Sequence, residues 1–325
     1  MCTAISLNSG KHLFGRTLDL EFSYGENVVI TPENFTFHLR HQIPVVHHPA
    51  LVGTAHIADG FPLYYDAMNS SGLCAAALNF PGYAVYQDPK PMKVNLAAFE
   101  VIPYILSACQ TLEEARNLLE KINVTREQFS EKLPSTPLHW IFADASGAIV
   151  AEPLTNGLRI FENPFGVLTN SPPFDYHTTH LADFLSLNSA PPQNTLFPSA
   201  DLRPYSRGMG AIGLPGDLSS ASRFVRAAFV KAHTKLIDSG NEISRFFHVI
   251  GTVSQPNGCA VTEDGAPVRT IYSSCIDTTE QIYYFTTYGC RRIRAVRINN
   301  ETASCAELSI FPMIDKEDMM LHHKL

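Results

Sequence analysis

Along the first twenty residues small polar and apolar positions take turns over 2–7, and Asn8-Ser9-Gly10 then reads as a turn. The segment His12-Leu13-Phe14-Gly15-Arg16-Thr17-Leu18-Asp19-Leu20 predicts the return strand of a β-hairpin. Val28-Val29-Ile30 predicts a further strand, and the unbroken apolar run 73–78 predicts one buried on both faces. Two short apolar runs, 139–143 and 148–150, flank the turn Asp144-Ala145-Ser146-Gly147. The period then changes. Thr111-Leu112-Glu113-Glu114 has the spacing of a capping box, and it opens a helix with Leu112, Ala115, Leu118, Leu119 and Ile122 on one face. Ser219 or Ser220 caps a second helix carrying Phe224, Val225, Ala228, Phe229 and Ala232, and a third is predicted over about 242–253. Strands return at 270–276, 281–287 and 292–298, the last two with clear period-two alternation. Strands at both ends with helices in blocks between them predict an α+β layered fold, not an alternating βαβ sheet. The stretch 187–215 is rich in Pro, Ser, Asn and Gly. It is too long for an ordinary connection, so it is either an excursion packed on another subunit or a functional loop.

Composition removes several classes of function. A chain of 325 residues allows either two domains or one large layered domain. With 45% hydrophobic and 17% charged residues, a disordered chain is excluded. The formal charge is −7 and no Lys/Arg-rich run occurs, which argues against a nucleic-acid partner. The N-terminus lacks a basic segment followed by an apolar one, and no apolar stretch nears the roughly 20 residues that span a bilayer. A soluble, cytoplasmic protein without membrane partners is expected. Seven cysteines without a C-x-x-C pair argue against a zinc site or a disulfide scaffold, and most are expected to be inert buried thiols. His47-His48 and His322-His323 each lack a third ligand at metal-like spacing, and Gly208-Met209-Gly210 lacks the rest of a phosphate-binding loop. Neither metal nor cofactor is expected.

Cys2 stands apart from the other thiols. Initiator methionine is normally trimmed before a small second residue, and its loss would place a thiol and a free α-amine on one residue. An α-amine has a pKa of about 7.7–8.0, so far more of it is neutral near pH 7 than of a lysine. A neutral amine beside a thiol is a built-in general base. Alone, Cys2 is equally an ordinary second-position cysteine. The hairpin would bring Arg16 and Asp19 back against it. A guanidinium near sulfur favours the thiolate and a carboxylate can hold the amine, although the pair could also be a surface ion pair worth under about 1 kcal/mol.

Six blocks now fall into order: Met1-Cys2-Thr3, Phe14-Gly15-Arg16-Thr17-Leu18-Asp19, Asn79-Phe80-Pro81-Gly82-Tyr83, Leu138-His139-Trp140, the run 166–172 containing Thr169-Asn170-Ser171-Pro172, and Gly213-Leu214-Pro215-Gly216-Asp217 through Ser222-Arg223-Phe224. In this order they resemble the choloylglycine hydrolase family of conjugated bile salt hydrolases and penicillin V acylases, from residue 2 to about residue 290. The resemblance implies one N-terminal-nucleophile hydrolase domain over 1–325, a four-layer αββα fold with two stacked antiparallel sheets, and a homotetramer. It implies Cys2 as nucleophile, Arg16 beside its sulfur, Asp19 holding the α-amine, and Arg223 completing the polar cluster. Asn170 would offer its side-chain amide to the oxyanion. Asn79 would add its backbone N–H there and its side chain to the pocket. Leu18, Phe61 and Leu138 would line a pocket for a steroid, or are plain core. In the resemblance Asn at position 79 favours conjugated bile salts, where penicillin V acylases tend to have Tyr. The expected reaction is cleavage of the amide joining a bile acid to glycine or taurine, without a cofactor. Alternatives are a penicillin V or other N-acyl acylase, or an inert ligand-binding relative.

Overall fold

The structure, a computed structural model, describes residues 1–238 and 240–321. In chain order the strands and helices begin with β1 Cys2–Ser9, β2 Lys11–Leu20, β3 Asn27–Thr31, β4 Leu51–Ala58, β5 Phe61–Asn69, β6 Cys74–Asn79 and β7 Val94–Ala97. Next come α1 Val101–Ala108, α2 Leu112–Leu119, β8 Ile122–Thr125, β9 Leu138–Asp144, β10 Gly147–Leu154, β11 Gly157–Glu162 and β12 Val167–Leu168. The rest are α3 Phe174–Leu181, α4 Ser220–His233, α5 Glu242–Gly251, β13 Ala260–Val261, β14 Pro267–Asp277, β15 Ile282–Thr287, β16 Arg294–Arg297, α6 Asn300–Ser304 and β17 Ser309–Pro312.

Two antiparallel sheets form the centre. The first runs β12-β1-β2-β14-β15-β16 with β13 on β14, and the second runs β11-β10-β9-β6-β5-β4-β3-β17. Helices α4 and α5 pack on the first sheet and α1 and α2 on the second, giving the αββα layering the resemblance implies. Side-chain alternation sorts the two cores. Cys74, Ala76, Leu78, Ile141 and Ala143 face the first sheet, while Ala75, Ala77, Trp140 and Phe142 face α1 and α2. Helix α5 buries Phe246, Val249 and Ile250, each worth about 1.5–3 kcal/mol when removed from water.

The hairpin that carries Cys2 follows from two glycines. Gly10, at φ +77°, turns the chain between β1 and β2. Gly15 sits where β14 pairs with β2, and a Cβ there would lie 2.0 Å from the Ser274 carbonyl oxygen. The resulting register sets Cys2 opposite Leu18, Thr3 opposite Thr17 and Ala4 opposite Arg16.

Several local expectations change. Only half of the capping box forms: Thr111 Oγ1 accepts from Glu114 N–H, but Glu114 accepts from Gln110 N–H. Helix α2 ends at Leu119, and Ile122 starts β8 instead of extending its face. Ser219 is the cap of α4, and α5 stops at Gly251. The stretch 187–215 contains no strand or α-helix, and its ends meet where Asn188 N–H donates to the Gly210 carbonyl. No described helix is long and apolar enough to cross a membrane.

Candidate active site

Period two divides the hairpin's side chains between two environments. Cys2, Arg16 and Leu18 line a cavity of about 240 Å3 between the sheets. Thr3, Thr17 and Asp19 alternate to the opposite face of the same strands, where Thr3 meets Arg223 of α4. The sheet therefore separates the Cys2 side chain from part of the polar cluster around it.

Cys2 is only 2% exposed, and its N–H donates to Asn170 Oδ1 at 2.7 Å. Asn170 Nδ2 donates to the Asn79 carbonyl at 2.8 Å, so the two asparagines are joined directly. Arg223 extends the cluster. Its Nη1 donates to the Cys2 carbonyl and to Thr3 Oγ1, Nη2 to Asn170 Oδ1 at 2.8 Å, and Nε to the Leu218 carbonyl. Burial draws Arg223 below its ordinary range, and Asp19 and Cys2 oppose that shift.

Arg16 is fully buried, and its side chain meets only carbonyls: Nε donates to that of Thr17, and Nη1 to those of Tyr65 and Ala77. Its Nη2 has no partner among the described residues. Burial would lower its pKa, yet the combined field of Cys2, Tyr272, Asp66 and Asp19 holds it above the ordinary value. Ser274 Oγ accepts from Arg16 N–H and donates to Asp66, which also accepts from Tyr272 and Tyr283. Sequence reasoning missed Asp66. No local motif marks a carboxylate whose donors come from strands some 200 residues away.

The expected contact of Asp19 with the Cys2 α-amine belongs to the chain after Met1 is lost; with Met1 attached the arrangement is different. The Asp19 carboxylate accepts from Thr17 Oγ1 at 3.0 Å and Thr270 Oγ1 at 2.6 Å, not from an amine. Met1 instead extends the ladder, its N–H donating to the Asp19 carbonyl while Asp19 N–H donates to the Met1 carbonyl. The Asp19 carboxyl is pushed up by burial and drawn back by Arg223 and the chain terminus.

Leu18, Asn79 and Leu138 line the cavity. Phe61 does not. Its ring lies behind the wall, 5.8 Å from Phe99 and 6.0 Å from Phe129, both of which line the cavity. Tyr24, Leu63, Tyr65 and Leu133 complete the apolar walls, with Lys132, Ser135 and Thr136 at the polar side.

Among the described residues no three His, Cys, Asp or Glu side chains gather as a metal site. Both His48 ring nitrogens face backbone carbonyls, His47 meets Asn34, and His322-His323 lies outside the described residues. All seven cysteines are free; five are buried, as expected for most of them, Cys305 is half-buried and Cys259 is exposed.

A buried thiol, two arginines and paired asparagines beside an apolar cavity form a site suited to acyl transfer. The family model of linear amide C–N hydrolases, choloylglycine hydrolase family, matches residues 2–311. A bile salt hydrolase/transferase of Lactiplantibacillus plantarum is 44% identical over 96% of this chain and 97% of its own. The crystal structure of the C2A mutant of conjugated bile acid hydrolase from Clostridium perfringens superposes with a TM-score of 0.92 at 31% identity, covering 99% of this chain and 100% of the other. A penicillin V acylase from Agrobacterium tumefaciens shares the fold, with a TM-score of 0.72 at 22% identity over 92% of this chain and 87% of that one. The chain belongs to the choloylglycine hydrolase family, and it is an amide hydrolase with the N-terminal-nucleophile fold.

Proposed function

We propose that this enzyme hydrolyses conjugated bile salts at the amide linking the bile acid to glycine or taurine. The observation that carries the reading is the Cys2 thiol at the floor of a cavity walled by Leu18, Leu63, Phe99, Phe129 and Leu138. Such walls suit a large rigid apolar body, at about 25 cal/mol for each Å2 buried. The names of the relatives support the same substrate class.

In this proposal Met1 is first removed, leaving the Cys2 amine beside Asp19. The thiolate attacks the amide carbon, and the carbonyl π electrons move onto oxygen. Asn170 Nδ2 and the Asn79 backbone N–H stabilise that oxyanion, while Arg16 supplies fixed positive charge. Collapse breaks the C–N bond, and the Cys2 ammonium gives its proton to the leaving amine. Water then attacks the thioester with the Cys2 amine as base, releasing the bile acid and restoring the thiol. Each oxyanion donor of this kind contributes about 2.7–4 kcal/mol. We further propose that 1–325 acts as one domain with a Pro-rich excursion at 187–215, in a cytoplasmic homotetramer.

The test is an intact-mass measurement followed by parallel assays on glycocholate, taurocholate and penicillin V. Loss of Met1, turnover of a bile salt and its abolition by Cys2→Ala in folded protein are expected. Turnover of penicillin V alone would overturn the substrate assignment, and retention of Met1 without turnover would indicate an inert relative.

A further inference from the structure

Strands β9 and β10 carry a pair outside the reacting groups. His139 and Glu152 are each 0% exposed, with Nδ1 3.0 Å from Glu152 Oε1 and Nε2 3.0 Å from the Thr169 carbonyl oxygen. A backbone carbonyl only accepts, so Nε2 carries a hydrogen. The Glu152 oxygens also accept from Phe174 N–H, at 3.1 and 3.2 Å. One further proton must therefore lie between Nδ1 and Oε1, on either atom. The pair is neutral as a whole, and its ring orientation is fixed by acceptors on both sides.

The ring touches both asparagine loops. Thr169, its acceptor, precedes Asn170. Phe80, which follows Asn79, stacks on the imidazole with centroids 4.3 Å apart and planes 7° from parallel. The Asn170–Asn79 hydrogen bond closes the loop on the far side. Other charged or titratable groups also face this region: His177 of α3, which donates to the Asn170 carbonyl at 2.9 Å, Arg223 of α4 beyond it, Cys2 on Asn170, and Tyr83, stacked on Phe80 at 5.6 Å. A dry ion pair is poor value as a source of stability, since apolar residues of like volume usually serve as well.

We propose that His139 and Glu152 are positioning residues that set the spacing of Asn79 and Asn170, and so shape the oxyanion-binding site. This rests on the reaction proposed above. Oxyanion donors act only when fixed where charge develops, so a small displacement costs rate and not ground-state binding. The test uses the full chain with Glu152→Gln, His139→Gln and Phe80→Leu, the last removing the stack while keeping both buried polar groups. Expected are a kcat on glycocholate about ten- to hundredfold lower in the first two and several-fold lower in the third, with KM within about twofold. Alkylation of Cys2 by iodoacetamide should stay within about twofold of the parent, because the nucleophile is untouched. In the parent the proton shared by His139 and Glu152 should give a far-downfield imidazole 1H resonance that Glu152→Gln removes. Absence of that resonance, an unchanged kcat in folded Glu152→Gln, or alkylation falling in step with kcat would overturn the proposal. A parent that alkylates normally but hydrolyses no bile salt would defeat the functional reading instead, and the ring spectrum would still decide whether the proton-sharing pair exists.

Discussion

Two buried guanidiniums flank Cys2, and the protein treats them differently. Arg223 reaches in from α4 and spends its donors on Leu218, Cys2, Thr3 and Asn170. Arg16 rises from β2, meets only backbone carbonyls, lines the cavity, and keeps one Nη2 without a partner among the described residues. A buried donor left unpaired costs about 1–3 kcal/mol, so such groups persist where they serve a function. Arg223 organises the backbone of the site. In the proposed reaction Arg16 would bring charge and a free donor to the reacting atoms; Asp66 reaches its backbone N–H through Ser274.

Replacing each arginine by methionine is the most severe test of this division. Arg223→Met strands the Thr3 hydroxyl and the Cys2 carbonyl in a dry interior, leaves Asn170 Oδ1 with Cys2 N–H alone, and removes the buried cation whose field opposes the upward shift of Asp19. A loss of about 3–5 kcal/mol is expected from the urea-unfolding free energy. Arg16→Met leaves Asp66 with its three hydroxyl donors. It should cost about 1–3 kcal/mol. Cys2 alkylation at pH 7 should slow at least tenfold in this folded variant. Equal stability losses in the two, or unchanged alkylation in Arg16→Met, would remove the distinction.

Much of this arrangement is legible along the chain because it is local. Alternation over 2–20 places Cys2 and Arg16 on one face of a hairpin, and the run 73–78 delivers Asn79 at the end of a buried strand. Ser219 announces the helix that aims Arg223. The cavity walls are hidden for the opposite reason. Phe99 and Phe129 come from a short turn and an aperiodic loop, and only the fold of the second sheet brings their rings together at 5.3 Å. In the sequence Phe61 is one apolar residue among many that could line a pocket. Its true place behind those rings depends on which way β5 presents its first residue. The strands β4 and β5 escaped notice because their burial is uneven and Pro62 interrupts the pattern.

The same contrast extends to acid. His177 sits on the Arg223 side, stacked on Phe224, and burial lowers its pKa from 6.5 to about 4, with His139 and Arg223 adding to the shift against the Asn170 carbonyl. Between those values the unfolded chain binds the proton and the folded one does not. Stability is therefore complete above pH 6.5 and falls as pH drops through 4. This residue alone should account for at most roughly 3 kcal/mol of that loss. His177→Gln should flatten the curve of unfolding free energy against pH over this window. An unchanged slope would show that the acid sensitivity lies elsewhere, His12 being the next candidate because burial also takes it to about 4.

The smallest effect belongs to a cation that shares the cavity but not the burial. Lys132 is exposed at the polar side, so water and salt screen it, unlike Arg16 on the floor. Glycine- and taurine-linked bile salts carry an anion at the end that leaves, and a screened lysine would steer it weakly. Lys132→Gln should raise KM about two- to fivefold at low salt, leave kcat unchanged, and make no difference in 0.5 M NaCl. A defect that persists at high salt would mean a direct contact with substrate in a desolvated pocket. Lys132 would then join Arg16 as a cation acting inside the site, and charge at the rim could no longer be set apart from charge at the floor.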